Sequence, residues 1–230
     1  MDQVSHVDFY FDPMCPYAYQ TSLWIREVRR QTGLDIDWRF FSLEEVNRPE
    51  GKRHPWERPI GYGWSPMRVA ALLRRRDRAL CDAWYLACGR ALHEQGLKPH
   101  DPDTARELLV GIGANASDWD DALADPSTHD DVKTDHFHAV EAYGGFGVPI
   151  IVFPASDGRP EKAVFGPVVV PAPSGAEALD LWALTVAYTR ITGLYEIKTP
   201  KTAADVAAIG RAFTPYLQGR DWESVQNPAL

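Results

Sequence analysis

The sequence is short of cysteine, of long apolar runs and of basic charge, and each shortage excludes something. Three cysteines among 230 residues, Cys15, Cys81 and Cys88, are odd in number and widely spaced. They do not form the disulfide framework of a small secreted domain. No apolar stretch is long enough to cross a bilayer, so no membrane partner is expected. The first residues, Met1 to His6, show no basic segment followed by an apolar one, so no secretory leader is expected. Together with the cysteine usage, this predicts a reducing, cytoplasmic setting. Lys and Arg number 24 against 32 Asp and Glu, a net charge of −8. Such an acidic chain is a poor general binder of phosphate backbones, so no nucleic-acid partner is expected. The one basic run, Arg74-Arg75-Arg76 and Arg78, has Asp77 and Asp82 beside it and reads as a solvated helix face. Metal ligands are also scarce. Cys81 and Cys88 share one face of a helical stretch with no further ligands near them, which reads as core and predicts no metal.

What is present is ample apolar material. Eight Trp, nine Tyr and nine Phe in a chain that is 45% hydrophobic suffice for a sizeable core and a lined pocket. The length fits one large domain, or a small core domain with an inserted one.

The chain opens with an alternating segment, Val7 to Phe11, that reads as a strand. Asp12-Pro13 stops it, and Met14-Cys15-Pro16-Tyr17-Ala18-Tyr19 follows. Pro16 fits the first turn of a helix. Tyr19, Leu23, Trp24 and Val28 keep helical spacing to about Gln31, and Gly33 supplies a stop. Leu34 to Phe41 alternates again, completing a strand–helix–strand unit. Residues 48–62 read as a loop, rich in Pro, Gly and charge. Ser65-Pro66 opens a helical region to about Tyr143, punctuated into roughly four helices at Asp101-Pro102, at 111–115 and at Asp125-Pro126. Strands return at Val148 to Phe153 and Lys162 to Phe165, joined by a turn at Asp157-Gly158. Ser174 is placed to cap a last core helix carrying Leu179, Trp182, Val186 and Tyr188. An amphipathic stretch from Thr202 to Leu217 packs outside.

This order is α/β and matches a thioredoxin-like fold with an all-helical insertion. The expected division is 1–60 with 146–200 for the thioredoxin-like domain, 61–145 for the insertion, and 201–230 for a C-terminal helix and tail.

Cys15 is the candidate nucleophile. It sits directly after a strand and directly before a helix, where backbone N–H groups and the helix dipole favour a thiolate. The plainer alternative is a small Cys that merely packs. The fourth position of the Cys-x-x-Cys pattern is Ala18, so no intramolecular disulfide forms there, and an external thiol must resolve any mixed disulfide. Pro149 is the second key position. In thioredoxin-like folds a cis proline here turns the backbone of the preceding residue, Val148, towards the cysteine, and a trans proline at a strand start is the plainer alternative. Tyr17 and Tyr19 flank Cys15, and Trp64, Ser65 and Arg68 sit where the insertion begins; these could line a pocket for an aromatic or conjugated substrate or pack as core. His136 and His138 are candidate proton donors, or two exposed helix histidines.

The block Phe11-Asp12-Pro13-Met14-Cys15-Pro16-Tyr17-Ala18-Tyr19, with Thr21-Ser22-Leu23-Trp24-Ile25 behind it, resembles the DsbA-like actinobacterial proteins that include mycothiol-dependent nitroreductase. So do Gly63-Trp64-Ser65-Pro66-Met67-Arg68-Val69-Ala70, Gly147-Val148-Pro149, and Phe165-Gly166-Pro167 with Leu181-Trp182. More distantly the chain is similar to kappa-class glutathione transferases and 2-hydroxychromene-2-carboxylate isomerase. The resemblance implies a nucleophile at Cys15 and a cis proline at Pro149. It also implies a site drawing on Pro16, Tyr17, Ala18, Tyr19, Trp64, Arg68 and Val148. It implies no tightly bound cofactor but a low-molecular-weight thiol, mycothiol or glutathione, as co-substrate, and it is compatible with a homodimer. The departure is Ala18, where the nitroreductase-type cycle has a second cysteine. Two functions follow as expectations. One is a monothiol oxidoreductase. The other is a cis–trans isomerase whose thiolate adds reversibly to a conjugated double bond.

Overall fold

The computed structural model describes residues 4–155 and 160–220. The Asp157-Gly158 turn lies outside the described residues. Among them four strands form one sheet in the order β2-β1-β3-β4: β1 (His6–Phe11), β2 (Asp35–Phe40), β3 (Ile150–Phe153) and β4 (Lys162–Phe165). β2 runs parallel to β1, with Phe9 opposite Trp38, while β3 and β4 run antiparallel to their neighbours. α1 (Pro16–Thr32) connects β1 to β2. α2 (Leu43–Val46), α3 (Trp64–Arg76), α4 (Arg78–Gln95), α5 (Pro102–Gly111), α6 (Asp118–Ala124) and α7 (Ser127–Tyr143) precede β3. α8 (Gly175–Thr189), α9 (Ala203–Ala212) and α10 (Thr214–Gly219) follow β4. This is the thioredoxin-like fold with a helical insertion.

The period of two along β1 divides its side chains between two cores. Val7, Phe9 and Phe11 join Ile36, Trp38 and Phe40 of β2, Trp24, Ile25 and Val28 of α1, and the insertion in one continuous apolar cluster. Tyr10 faces the other way, with Ile150, Val152, Phe41 and Ala139 of α7. The insertion therefore shares its core with the sheet.

Polar ties fix the helices. Arg26 of α1, half-buried, pairs with Asp82 of α4 at 2.6 Å and lies 4.2 Å over the Trp38 ring. Gly89 lets α4 approach α1, since a Cβ there would stand 2.3 Å from the Tyr19 ring. The Arg74 to Arg78 run is spent on ion pairs: Arg74 with Asp135, Arg75 with Asp131, Arg76 with Asp118 and Arg78 with Asp37.

Several local expectations are corrected. The helical region holds five helices rather than four. Asp77 both ends α3, through its N–H to Leu73 O, and caps α4, through its carboxylate to Ala79 N. Its place inside a charged run hid that boundary. Residues 48–62 include a 3₁₀ turn at Pro55–Glu57. Ser174 stands at the N-cap of α8 without a side-chain hydrogen bond, and only Ala178 and Thr185 of that helix are buried. His136 is buried, not exposed, and its Nδ1 accepts from Ser42 N–H at 3.2 Å. His138 is the exposed one, near the Tyr143 hydroxyl.

Arg68 holds the insertion together. It is buried in α3 and donates to Thr128 Oγ1 at 2.8 Å and to the carbonyls of Ala122, Leu123 and Asp125 at 2.9, 3.1 and 2.9 Å. These carbonyls lie at the C-terminal end of α6 and the turn into α7, where helical partners run out. Truncation would remove all four bonds and leave only the Thr128 hydroxyl to serve the Ala122 and Asp125 carbonyls. Arg68→Ala should lower the unfolding free energy by roughly 3 kcal/mol. A urea titration reads this as a lower midpoint with the slope unchanged.

Candidate active site

β1 ends at Phe11, and the turn Asp12-Pro13-Met14 is closed by Cys15 N–H donating to Asp12 O at 3.0 Å. This delivers Cys15 to the N-cap of α1, with extended backbone (φ −85°, ψ 113°) and Pro16 in the first helical position. Sγ accepts from Ala18 N–H at 3.4 Å, and the thiol donates to the carbonyl of Val148 at 3.6 Å. The Val148–Pro149 peptide is cis. Pro149 O accepts from Gly166 N–H at 3.0 Å, and Thr21 Oγ1 donates to Pro167 O at 2.8 Å. These bonds hold the strand start and the 166–167 segment against α1.

The electrostatics differ from what the helix start alone predicts. Cys15 is only 6% exposed. Burial pushes its pKa up to about 12 and the Asp12 carboxylate adds to the rise, while the Ala18 and Tyr17 N–H groups pull it down. The thiol is therefore protonated at rest. Two N–H groups do not offset the loss of water around a sulfur anion. Cys81, buried in α4, is likewise pushed up to about 12 by burial, and Cys88 well above its ordinary value.

Asp12 is fully buried beneath the turn. Oδ1 accepts from Met14 N–H at 2.9 Å and Oδ2 from Leu43 N–H at 2.8 Å. Burial lifts its pKa to about 7 against those hydrogen bonds, and Glu44 adds to the rise. The neighbouring Glu44 carboxylate gathers the N–H groups of Tyr62, Gly63 and Trp64 at 3.1, 2.8 and 3.0 Å and pairs with Arg58. Beside these two acids lies a cleft of about 230 Å³ whose walls include Asp12, Met14, Glu44, Arg58, Tyr62 and Tyr216.

The residues expected at the site part company. Cys15, Pro16, Ala18, Val148 and Pro149 come together. Tyr17 is half-buried and meets Phe213 edge-on at 5.0 Å. Tyr19 turns away: its hydroxyl donates to Glu94 Oε1 at 2.5 Å and its ring stacks on His93. Trp64 is buried, donates from Nε1 to His129 Nδ1 at 2.8 Å and packs on Trp56. Arg68 is spent on the insertion, as described. Of the two readings open for these three, lining a pocket or packing as core, their side chains take the second and point into packed interfaces. Asp12, Glu44, Tyr62 and Tyr216 were missed as site residues. The Asp-Pro-x-Cys spacing was a usable signal for Asp12, but nothing local marks Tyr216. On the other side of the cis peptide, Phe146 and Phe165 stack at 4.9 Å and are 72% and 40% exposed. Among the described residues, His6, Asp8 and Asp37 are close enough together to hold a metal. They lie at the opposite end of β1 from Cys15, and Arg39 and Arg78 pair with their carboxylates. No helix of the described residues is long and apolar enough to cross a membrane.

A family model described as "Rv2466c-like: Mycothiol-dependent nitroreductase Rv2466c" matches residues 14–199. The uncharacterized protein Rv2286c of Mycobacterium tuberculosis is 53% identical over 219 residues, covering 95% of this chain and 92% of that one. A 2-hydroxychromene-2-carboxylate isomerase of Sphingobium xenophagum is 22% identical over 172 residues, covering 63% and 87%. Among solved structures, a probable DsbA oxidoreductase of Streptomyces coelicolor superposes with a TM-score of 0.57 at 21% identity, covering 87% of this chain and 97% of its own.

Two measurements follow from the titrating groups. His93, His129 and His136 are each held down near 4, chiefly by burial, so the unfolded chain binds more protons between about pH 4 and 6.5. Their contribution is present above 6.5 and lost as pH falls towards 4. Asp12, raised to about 7, acts in the opposite sense and loses stability as pH rises from about 4 to 7. Three groups outweigh one, so the thermal midpoint should rise between pH 4.5 and 7, and a falling midpoint would contradict these assignments. Separately, native Cys15 should react with iodoacetamide before Cys81 and Cys88, slowly at pH 7 and faster as pH climbs past 9. Asp12→Asn should speed that reaction several-fold at pH 8 by removing the neighbouring charge. Mass-spectrometric labelling at each pH checks both points.

Proposed function

Since the chain belongs to the Rv2466c-like family of mycothiol-dependent nitroreductases, we propose that it is a thiol-dependent oxidoreductase that works through one cysteine and an external low-molecular-weight thiol. The observation that carries this reading is the setting of Cys15 Sγ. It lies between the Ala18 N–H and the Val148 carbonyl, and the methyl of Ala18 stands where a resolving thiol would be.

The chemistry begins with the proton on Sγ. It leaves for solvent, against burial and the Asp12 carboxylate, both of which raise the pKa of the thiol. The Ala18 and Tyr17 N–H groups then hold the sulfur anion. The thiolate attacks the small-thiol sulfur of a mixed disulfide X–S–S–R. The S–S bond breaks, X–S⁻ leaves and takes a proton, and Cys15–S–S–R forms. A second R–SH, as thiolate, attacks the outer sulfur, giving R–S–S–R and returning Cys15 as thiolate. The net exchange, X–S–S–R plus R–SH to X–SH plus R–S–S–R, needs no second protein thiol. The Val148 backbone beside the sulfur offers an edge to the incoming chain. The exposed Phe146 and Phe165 rings offer a flat apolar surface to an aromatic or conjugated X group.

The second reading is a cis–trans isomerase. The likeness to a 2-hydroxychromene-2-carboxylate isomerase and the absence of a thiol at position 18 favour it. There the Cys15 thiolate adds to a conjugated double bond, the resulting single bond rotates, and elimination returns the other isomer with no net redox change.

One pair of variants separates the two. Cys15→Ser should reduce turnover by about a thousandfold or more under either reading, with the fold retained by circular dichroism. Ala18→Cys should form a disulfide with Cys15 under mild oxidation. Under the oxidoreductase reading this variant depends less on added small thiol when it reduces a mixed disulfide. Under the isomerase reading it only loses activity when oxidised and regains it with reductant. Turnover of a mixed disulfide that survives Cys15→Ser would rule out the first reading, and isomerisation that survives it would rule out the second.

A further inference from the structure

Cys15 is held at 6% exposure, and part of what covers it comes from the far end of the chain. Residues on both sides of the cysteine touch that end. Met14, just before it, packs with Tyr62, Leu92 and Tyr216. Tyr17, two residues after it, meets Phe213 edge-on at 5.0 Å. Burial raises the pKa of the Tyr216 phenol, and charge on Cys15 raises it further. The phenol is thus within electrostatic reach of the sulfur.

The covering element is a strap, α9 with α10, reached from α8 through residues 190–202. Those residues form no helix or strand, and all but Leu194 are exposed. α9 is made locally by its cap: Asp205 N–H donates to the Thr202 hydroxyl at 3.2 Å, and Thr202 N–H donates to the Asp205 carboxylate at 2.8 Å. No residue of α9 is buried, and a helix shorter than about 12–15 residues is marginal in water on its own. The hold on the body is therefore α10, where Gly219 is the one buried residue. A Cβ on Gly219 would stand 2.8 Å from Gly96 O and 2.9 Å from Leu92 Cδ1, and one on Gly96 would stand 3.1 Å from Pro215 O. α10 sits backbone to backbone on the end of α4, with the Tyr216 ring tilted against His93 at 5.3 Å. An element with so little buried surface opens at lower cost than the core beneath it. Both helices fall beyond residues 14–199, where the family model matches.

This placement bears on which partners reach the sulfur. With the strap docked, a reacting group comes in past Phe213 and Tyr216 on one side or along the Val148 backbone on the other. A small disulfide or a conjugated molecule enters edge-first. A disulfide on a folded protein brings a surface that meets the strap before its sulfur meets Cys15.

We propose that the strap restricts Cys15 to small-molecule partners: α10, seated by Gly219 on Gly96, keeps protein thiols and disulfides from the sulfur, and its release admits them. This deepens the reading of a site that serves a small thiol, and rests on that reading for what the partners are in turnover. The test reads access alone. The full chain is alkylated at pH 8 with N-ethylmaleimide and with the same maleimide on a long polyethylene glycol chain, and each cysteine is followed by mass spectrometry. N-acetylcysteine gives the size preference of an open thiol. Cys15 should prefer the small reagent at least about tenfold more than N-acetylcysteine does. Gly219 lies outside the left-handed region, so its backbone accepts alanine, and Gly219→Ala acts through the α10–α4 contact. That variant should bring the preference to within about threefold of N-acetylcysteine. Gly210→Ala, in the same strap with nothing within 4 Å of the added methyl, should keep the parent's preference. Cys81 and Cys88 report on the body; if Gly219→Ala exposes them, Phe213→Ala carries the comparison. A parent whose Cys15 takes neither reagent, a parent preference no greater than that of N-acetylcysteine, or a preference unchanged in both Gly219→Ala and Phe213→Ala would overturn the assignment. Mixed-disulfide turnover that fails while the size pattern holds would instead overturn the oxidoreductase reading and leave the role of the strap standing.

Discussion

Asp12 is an acid buried where three chain segments meet, and its two hydrogen bonds set the geometry around it. One oxygen holds Met14 N–H and so shapes the turn that presents Cys15; the other holds Leu43 N–H and so starts α2. The third segment, the start of α3, comes so close that a Cβ on Gly63 would stand 2.7 Å from Asp12 Oδ1. Glu44, one residue into α2, then collects the N–H groups at 62–64. Two buried carboxylates thus knit the β1–α1 turn, α2 and the entrance to the insertion. Hydrogen bonds to a charged acceptor contribute about 1.5–3 kcal/mol each, and the burial that strengthens them is also what lifts Asp12 to about 7.

That arrangement explains the character of the cysteine. The helix start supplies the N–H groups that would hold a thiolate, yet the surrounding packing withdraws water and leaves a protonated thiol bonded to the Val148 carbonyl. The nucleophile is held in place and kept quiet. Its ionisation is then coupled to the acid that built the turn, rather than being a fixed property of the sulfur. A protein that lacks a resolving thiol gains from such a resting state, because an unguarded thiolate would be oxidised or captured with no internal route back.

The insertion and the C-terminal strap, α9 with α10, do different work. The insertion shares a core with the sheet through α3 and α4, and Arg68 ties its far end with four hydrogen bonds. It is a rigid wall. The strap touches that wall through the Gly96–Gly219 contact and a few aromatic rings, and it brings to the cleft groups that neither the sheet nor the insertion supplies.

The element order, the Cys–Pro turn and the departure at Ala18 were all legible in the sequence, because they depend on local rules. Alternation in β1 and β2, helical spacing in α1 and the breaking power of Pro and Gly act over a few residues. The helix boundary at Asp77 was not legible, since one aspartate inside a charged run serves two helices at once. What the tertiary structure alone decided was which side chains meet. Tyr19, Trp64 and Arg68 have the composition of a lined pocket, but packing turned them into the core and the insertion. Tyr216, about two hundred residues from Cys15 along the chain, reached the site through a contact between two glycines. The ionisation of Cys15 was settled in the same way. A helix N-terminus is visible in sequence, whereas burial is the sum of every segment that packs over it, and here burial outweighs the N-terminus.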